Sequence, residues 1–220
     1  MNFHIITIFP EVVQPYLSTG VIGRGIIKKK IAVSVYNPRD YTKNKHKKVD
    51  DIPYGGGPGM IMAVDPIVLA VKKVQQKIAR RKIKGKIKII MTSPGGKEFS
   101  NTYADKIIKN KYTDIIIICG RYEGIDARVK KIFKAEDISI GNYVLTGGEL
   151  PAMVMLDVIA RRVPDVLGNM SSIEESRVSS HEMYTRPEVY ECGGKKYRVP
   201  KVLLSGHHKN IEEWKRGSKK

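Results

Sequence analysis

The sequence predicts an α/β fold: a mostly parallel sheet flanked by helices, followed by a small helical C-terminal domain. Three observations carry this. Apolar runs of strand length alternate with segments of helical periodicity over residues 1–163, the pattern of successive βα units. Two of the runs, Ile115 to Cys119 and Ile138 to Ile140, read as buried strands, each leading into a turn rich in glycine and polar residues. From Pro164 onward the chain turns polar and is too short for a core of its own, whereas 220 residues suffice for one sizeable core and an appendage.

The elements follow in order. Phe3 to Phe9 is an apolar strand, and Pro10 opens a helical stretch. Ile31 to Tyr36 is a second strand, and a polar loop runs from Asn37 into Tyr54-Gly55-Gly56-Gly57-Pro58-Gly59. Asp65 is placed to cap a helix with Pro66 at its first position, since Ile67, Val68, Val71, Val74 and Ile78 recur at helical spacing. Lys86 to Met91 is a strand ended by Ser93-Pro94-Gly95-Gly96; Phe99 to Lys109 is helical, and Asp114 to Cys119 is a strand. Glu123 to Ile132 reads as a helix with Ile125, Val129 and Ile132 on one side, and another helix spans Gly148 to Val163. Residues 164–183 form a serine-bearing interdomain linker, and 184–220 a small domain with a short helix around Ile211 to Lys215, which must dock elsewhere.

The stretch from Cys119 to Pro151 carries the chemistry. In an open α/β sheet, loops leaving the carboxyl ends of strands line the ligand crevice. Glycines there let backbone groups approach a flat ligand, so these turns predict a backbone-built pocket for a nucleoside-like molecule. The familiar phosphate loops are excluded: residues 55–62 lack the Lys-Ser/Thr of a P-loop, and 119–126 give no G-x-G-x-x-G. No H-E-x-x-H or paired C-x-x-C supports metal catalysis, and the adjacent His207 and His208 suit surface or phosphate contact better than ligation.

A formal net charge of +18 predicts a polyanionic partner. Eight Lys or Arg stand against Asp40 alone between Lys28 and Lys48, and no acid occurs from Pro66 to Lys97. Lysine outnumbers arginine 28 to 12, which coding bias can produce, so charge alone does not name the partner. Nucleic acid is favoured over membrane because no apolar run approaches the ~20 residues needed to span a bilayer. Residues 1–10 do not read as a signal peptide, and two cysteines, Cys119 and Cys192, suit a reducing cytoplasm.

Six motifs in register resemble bacterial tRNA (guanine-N(1)-)-methyltransferases: P-Y-G-G-G-P-G-M at 53–60, S-P-G-G-K-E-F at 93–99, C-G-R-Y-E-G-I-D at 119–126, I-G-N-Y-V-L-T-G-G-E-L-P-A-M at 140–153, Y-T-R-P-E-V at 184–189 and V-L-L-S-G-H-H at 202–208. The resemblance implies a SPOUT-class fold with a deep trefoil knot, which no patterning argument would produce, and a homodimer with its active site shared between subunits. It implies S-adenosylmethionine as methyl donor, bent among three loops. The first supplies Thr92, Ser93 and Pro94; the second Gly120, Tyr122, Glu123 and Gly124; the third Ile140, Gly141, Asn142, Tyr143, Val144, Leu145, Gly147, Gly148 and Pro151. It leaves open whether magnesium is needed.

The implied reaction is methylation of ring nitrogen 1 of guanine 37 in tRNA, 3′ of the anticodon. Tyr54, Gly55, Gly57, Gly59, Met60, Arg186 and His207 are the implied tRNA contacts. Arg161 is implied as the cation for the developing oxyanion, with Arg162 a phosphate or surface contact. The general base departs from the family pattern: Glu175 stands where an aspartate is expected, in a linker about three residues shorter than usual. Asn142 also replaces an expected aspartate, and the chain stops soon after Trp214. The alternative from another class is a non-catalytic RNA-binding protein of the same fold that has lost its base.

Overall fold

The computed structural model describes residues 1–43, 45–81, 85–168 and 182–217. Strand β1 (Asn2–Ile6) is followed by helices α1 (Pro10–Leu17) and α2 (Gly20–Ile27) and strand β2 (Ala32–Tyr36). A short antiparallel pair, β3 (Asp50–Asp51) and β4 (Ile61–Met62), brackets the glycine loop. Then come α3 (Val64–Ala79), β5 (Lys86–Glu98), α4 (Asn101–Lys109), β6 (Tyr112–Ile118), α5 (Ala127–Phe133), β7 (Glu136–Ser139) and α6 (Glu149–Ala160). Five strands form one sheet in the order β2-β1-β6-β5-β7, every neighbouring pair parallel.

The uninterrupted apolar run of β6 has a direct explanation. Alternate residues point to opposite faces of a strand, and both faces are covered. Ile115 and Ile117 join the cluster containing Val13, Ile107, Leu156 and Ile159. Ile116 and Ile118 join the cluster containing Ile67, Val71, Val74 and Val129. Thus α1, α2, α4 and α6 cover one face, and α3 and α5 the other.

Several elements differ from the sequence expectation. β1 stops at Ile6, because the Thr7 hydroxyl turns to accept the Phe9 N–H (2.9 Å). α3 starts at Val64 with Ala63 as an uncapped N-terminus. Asp65 and Pro66 therefore sit within the first turn, where a missing N–H costs no bond and a carboxylate suits the dipole. β5 does not end at the Ser93–Gly96 turn. It pairs with β7 on both sides of that turn, with a register shift between Thr92 and Lys97. Gly96 permits this by lying against the Asp137 and Ile138 backbone, 2.5 Å from where a Cβ would stand.

α5 starts at Ala127, not Glu123; Asp126 caps it by accepting the Arg128 N–H (2.9 Å). Ile132 is 52% exposed, so it does not share the core-facing side with Val129. The chain also holds to the core past Pro164: Val166 is buried and Asp165 pairs with Lys30 (2.6 Å).

Residues Met1–Met170 and Ser171–Lys220 form two compact units. The second adds a hairpin to the expected helices: β8 (Val189–Cys192) and β9 (Lys195–Arg198), followed by α7 (Lys201–Leu204) and α8 (His208–Gly217). Its turn is Gly193-Gly194, both at positive φ, as a two-residue hairpin loop requires. None of its described residues is buried; Tyr184 and Trp214 make a ring contact at 6.3 Å.

Candidate functional site

Because the five strands run in one direction, their carboxyl ends share one edge of the sheet, and the turn inside β5 meets the loops leaving β6 and β7 there. They enclose a cavity of about 470 Å³, within the usual span for small-molecule sites. Its lining includes Thr92, Ser93 and Pro94 from the first loop, and Gly120, Tyr122, Glu123 and Gly124 from the second. The third contributes Ile140, Tyr143, Val144, Leu145, Gly147, Gly148 and Pro151. Gly141 and Asn142 do not line it; a side chain at Gly141 would meet the Tyr143 ring first, at 2.4 Å.

The loops are laid against each other with no room to spare. Gly120 N–H donates to Thr92 Oγ1 (2.9 Å), and Gly148 N–H donates to the Gly120 carbonyl (2.8 Å). A Cβ at Gly148 would lie 1.9 Å from Thr92 Oγ1, 2.7 Å from the Gly120 nitrogen and 2.9 Å from Cys119 Cα. Glycine is required here by close approach. Tyr143, Val144 and Leu145 present exposed apolar side chains at the cavity, Val144 at 81%. Apolar groups gathered at a glycine-built rim mark a surface that awaits a partner.

An ion pair locks this arrangement. Glu149, at the first turn of α6, is only 1% exposed. It accepts from Thr7 Oγ1 (2.6 Å), Arg121 Nε (2.9 Å) and Arg121 Nη2 (2.8 Å). Arg121 also donates to the Thr146 carbonyl (3.0 Å) and lies over the Phe9 ring (4.6 Å). One guanidinium thus joins the β1, β6 and β7 loops to α6. Cys119 sits beneath it, fully buried, with its thiol pushed well above the ordinary range by burial and then by the Glu149 charge. Replacing Arg121 with Ala should cost about 3–5 kcal/mol, because the Glu149 carboxylate is left buried without its cation. Denaturant unfolding would measure this, and Glu149→Gln in the same chain should recover part of the loss; a variant as stable as the parent would show the pair is not a lock.

The 53–60 loop is tied to a wall of the same cavity. Glu123 N–H donates to the Met60 carbonyl (3.0 Å), Met62 N–H to the Gly124 carbonyl (2.9 Å), and Asp126 N–H to the Met62 carbonyl (3.1 Å). These bonds hold residues 121–126 out of α5. Gly55, Gly57 and Gly59 all have positive φ, and a side chain at Gly59 would meet Glu123. Tyr54 is 100% exposed, so it packs on nothing and stands free at the tip.

Arg161 ends α6 as its C-cap, half-buried and without an ion pair among the described residues. Arg162 is not a surface or phosphate contact. It is 8% exposed, and its guanidinium donates to Asp105 (2.6 Å) and the Val158 carbonyl (2.8 Å), joining α4 to α6. Glu175 lies outside the described residues. Arg186 and His207 are exposed in the second unit. Among the described residues, no group of three or more His, Cys, Asp or Glu could hold a metal ion.

Sequence reasoning missed Arg121, Glu149 and Thr7, and also Lys130 and Asp137, an ion pair (2.5 Å) that lines the cavity. The available signal was a charged residue inside each glycine turn, Arg121 after Gly120 and Glu149 after Gly148. Turns that need only flexibility do not need charge.

A family profile described as tRNA (Guanine-1)-methyltransferase TrmD matches residues 1–220. A tRNA (guanine-N(1)-)-methyltransferase of Clostridioides difficile (strain 630) is 44% identical over 220 residues, covering 98% of this chain and 91% of that protein. Its counterpart of the same name in Thermosipho africanus (strain TCF52B) is 46% identical over 219 residues, covering 98% and 84%. The crystal structure of tRNA (m1G37) methyltransferase from Aquifex aeolicus superimposes with a TM-score of 0.78 at 36% identity, over 98% of this chain and 87% of that one.

Proposed function

The chain belongs to the tRNA (guanine-1)-methyltransferase family, and we propose that it methylates ring nitrogen 1 of guanine 37 in tRNA. The observation that carries this reading is the bonding of the 53–60 loop to the wall of a glycine-built cavity. One element suits an extruded base and the other a nucleoside cofactor, side by side. Chemistry on a base needs that base out of its stack, and Tyr54 is free to meet it.

The cavity fits S-adenosylmethionine, whose sulfonium supplies an electrophilic methyl group. Backbone groups of Ile140, Tyr143 and Leu145 would read the adenine edge, Val144 and Leu145 would cover its faces, and Gly147 and Gly148, where a Cβ would meet Arg121 and Thr92, let the third loop pack close enough to form that wall. The close packing of Gly147 and Gly148 against residues 119–121 supports a knotted passage.

The chain's own groups then have two tasks. A carboxylate must take the proton from the guanine nitrogen, which the reading assigns to Glu175. A cation must stabilise charge moving onto the neighbouring carbonyl oxygen, which it assigns to Arg161. Geometry bears on where Arg161 acts. Glu149 and the cavity lie at the start of α6, and Arg161 at its end, twelve helical residues or about 18 Å away. A residue so placed serves a neighbour's cavity more easily than its own, which supports a homodimer with shared sites. Leu150 and Val154 of α6, with Val12 and Tyr16 of α1, leave an apolar surface that a second copy would cover.

The reading includes three functional parts, residues 1–163, 164–183 and 184–220, with Arg186 and His207 contacting tRNA, and a cytoplasmic setting. No helix among the described residues is long and apolar enough to cross a membrane. Incubation of labelled S-adenosylmethionine with transcripts carrying guanine or adenine at position 37 tests the whole. Label should enter only the guanine transcript; equal label in both, or none in either, would overturn the proposal. A chelator arm reads any need for magnesium.

A further inference from the structure

Charge is divided unequally between the two helical faces. On one, α1, α2, α4 and α6 carry four carboxylates, Glu11, Asp105, Glu149 and Asp157, against three cations. On the other, α3 and α5 carry six cations against Asp65 alone. Coding bias toward lysine would load both faces alike. It does not produce this asymmetry.

The cations of α3 are also placed for use. Ile67, Val71, Val74 and Ile78 occupy its buried side, and Lys72, Lys73 and, one residue beyond its end, Arg80 project from the opposite side. All three are exposed, with no carboxylate partner among the described residues. The turn at Pro38–Tyr41 packs on α3, and Arg39 of that turn donates to the Lys47 carbonyl (3.2 Å). This brings the exposed Lys43, Lys45 and Lys47 to the flank of α3. The helix begins two residues after Met62, which is bonded to the cavity wall, and is about 24 Å long.

We propose that this face of α3 is a track for the tRNA phosphate backbone, engaging a part of the molecule remote from the methylated base. The inference rests on the reading of the protein as a tRNA methyltransferase. Rows of unpaired cations match a nucleic-acid backbone because each phosphate neutralised releases a bound counterion. A membrane is the poorer match: the face offers only scattered apolar side chains, Leu69 and Ile132, and no exposed aromatic residue on α3 or α5.

The test is the triple variant Lys72→Ala, Lys73→Ala, Arg80→Ala in the full chain, with Lys106→Ala, Lys109→Ala on the other face as control. Affinity for full-length tRNA is measured across a salt series without turnover, alongside kcat at saturating tRNA and S-adenosylmethionine affinity. The triple variant should bind tRNA roughly tenfold more weakly near physiological salt, with a log–log salt slope smaller by about two to three. Its kcat and cofactor affinity should hold, and the control should bind like the parent. Unchanged affinity and slope would make the face merely solvated, and an equal loss in the control would make it one of general charge; either overturns the track. So would loss of binding to anionic vesicles with tRNA affinity intact. Because binding is read apart from chemistry, failure of guanine 37 methylation in the parent would remove the functional reading and leave the slope to judge the track.

Discussion

Gly148→Ala should weaken S-adenosylmethionine binding on the order of 100-fold, although it adds a single methyl group. The new Cβ would stand 1.9 Å from Thr92 Oγ1, which can rotate, but also 2.7 Å from the Gly120 nitrogen and 2.9 Å from Cys119 Cα, which cannot. Overpacking of this kind costs about 1–3 kcal/mol, and each 1.4 kcal/mol is about tenfold in affinity. The strain is relieved most directly by moving residues 141–148 off the Gly120 turn, which dismantles the cavity. Gly95→Ala is the matched control: nothing lies within 4 Å of its Cβ position, and its φ is not positive. Calorimetry should separate the two; cofactor affinity unchanged in Gly148→Ala would show that the third loop is not a wall of the site.

This contrast also shows what sequence can and cannot disclose. The alternation of strands and helices was legible because each element obeys its own period, and β6 is apolar throughout because both of its faces are buried. The start of α5 was not legible. Ile125, Val129 and Ile132 have helical spacing, yet Ile125 is taken by a bridge to Met62 and Ile132 points to solvent. Long-range backbone bonds outweighed a local pattern. At the site, the glycine turns announced a cavity through local composition alone. Which glycines are indispensable did not show, since Gly95 and Gly148 look alike in one dimension. The Arg121–Glu149 lock was equally hidden, because its partners lie in different turns and only the fold unites them. Arg161 and Arg162 are neighbours in sequence, and only the fold distinguishes them, by burying Arg162 against Asp105 and the Val158 carbonyl.

The proposed catalytic pair allows the remaining large effect to be tested together with the shared site. Glu175→Gln keeps the side-chain shape but cannot accept a proton, so methyl transfer should fall on the order of 100-fold or more. Arg161→Ala should lower the rate by a similar order through loss of oxyanion stabilisation. Both should retain cofactor affinity: Arg161 does not line the described cavity, and Glu175→Gln exchanges one side chain for another of the same shape. Glu175→Asp asks whether the extra methylene compensates the shorter linker; if it does, restoring aspartate slows the reaction. If Glu175→Gln matches the parent in single turnover, the base lies elsewhere, with Glu174 the next candidate. Subunit exchange then locates Arg161. Arg161→Ala chains retain the cavity and Gly148→Ala chains retain the arginine, so each homodimer is defective. If Arg161 serves its partner's cavity, a mixed dimer contains one complete site, and an equal mixture should recover about a quarter of the parent rate. If Arg161 serves its own cavity, every site in the mixture lacks one component and the rate stays at the level of the separate variants, a result that would confine catalysis to a single chain.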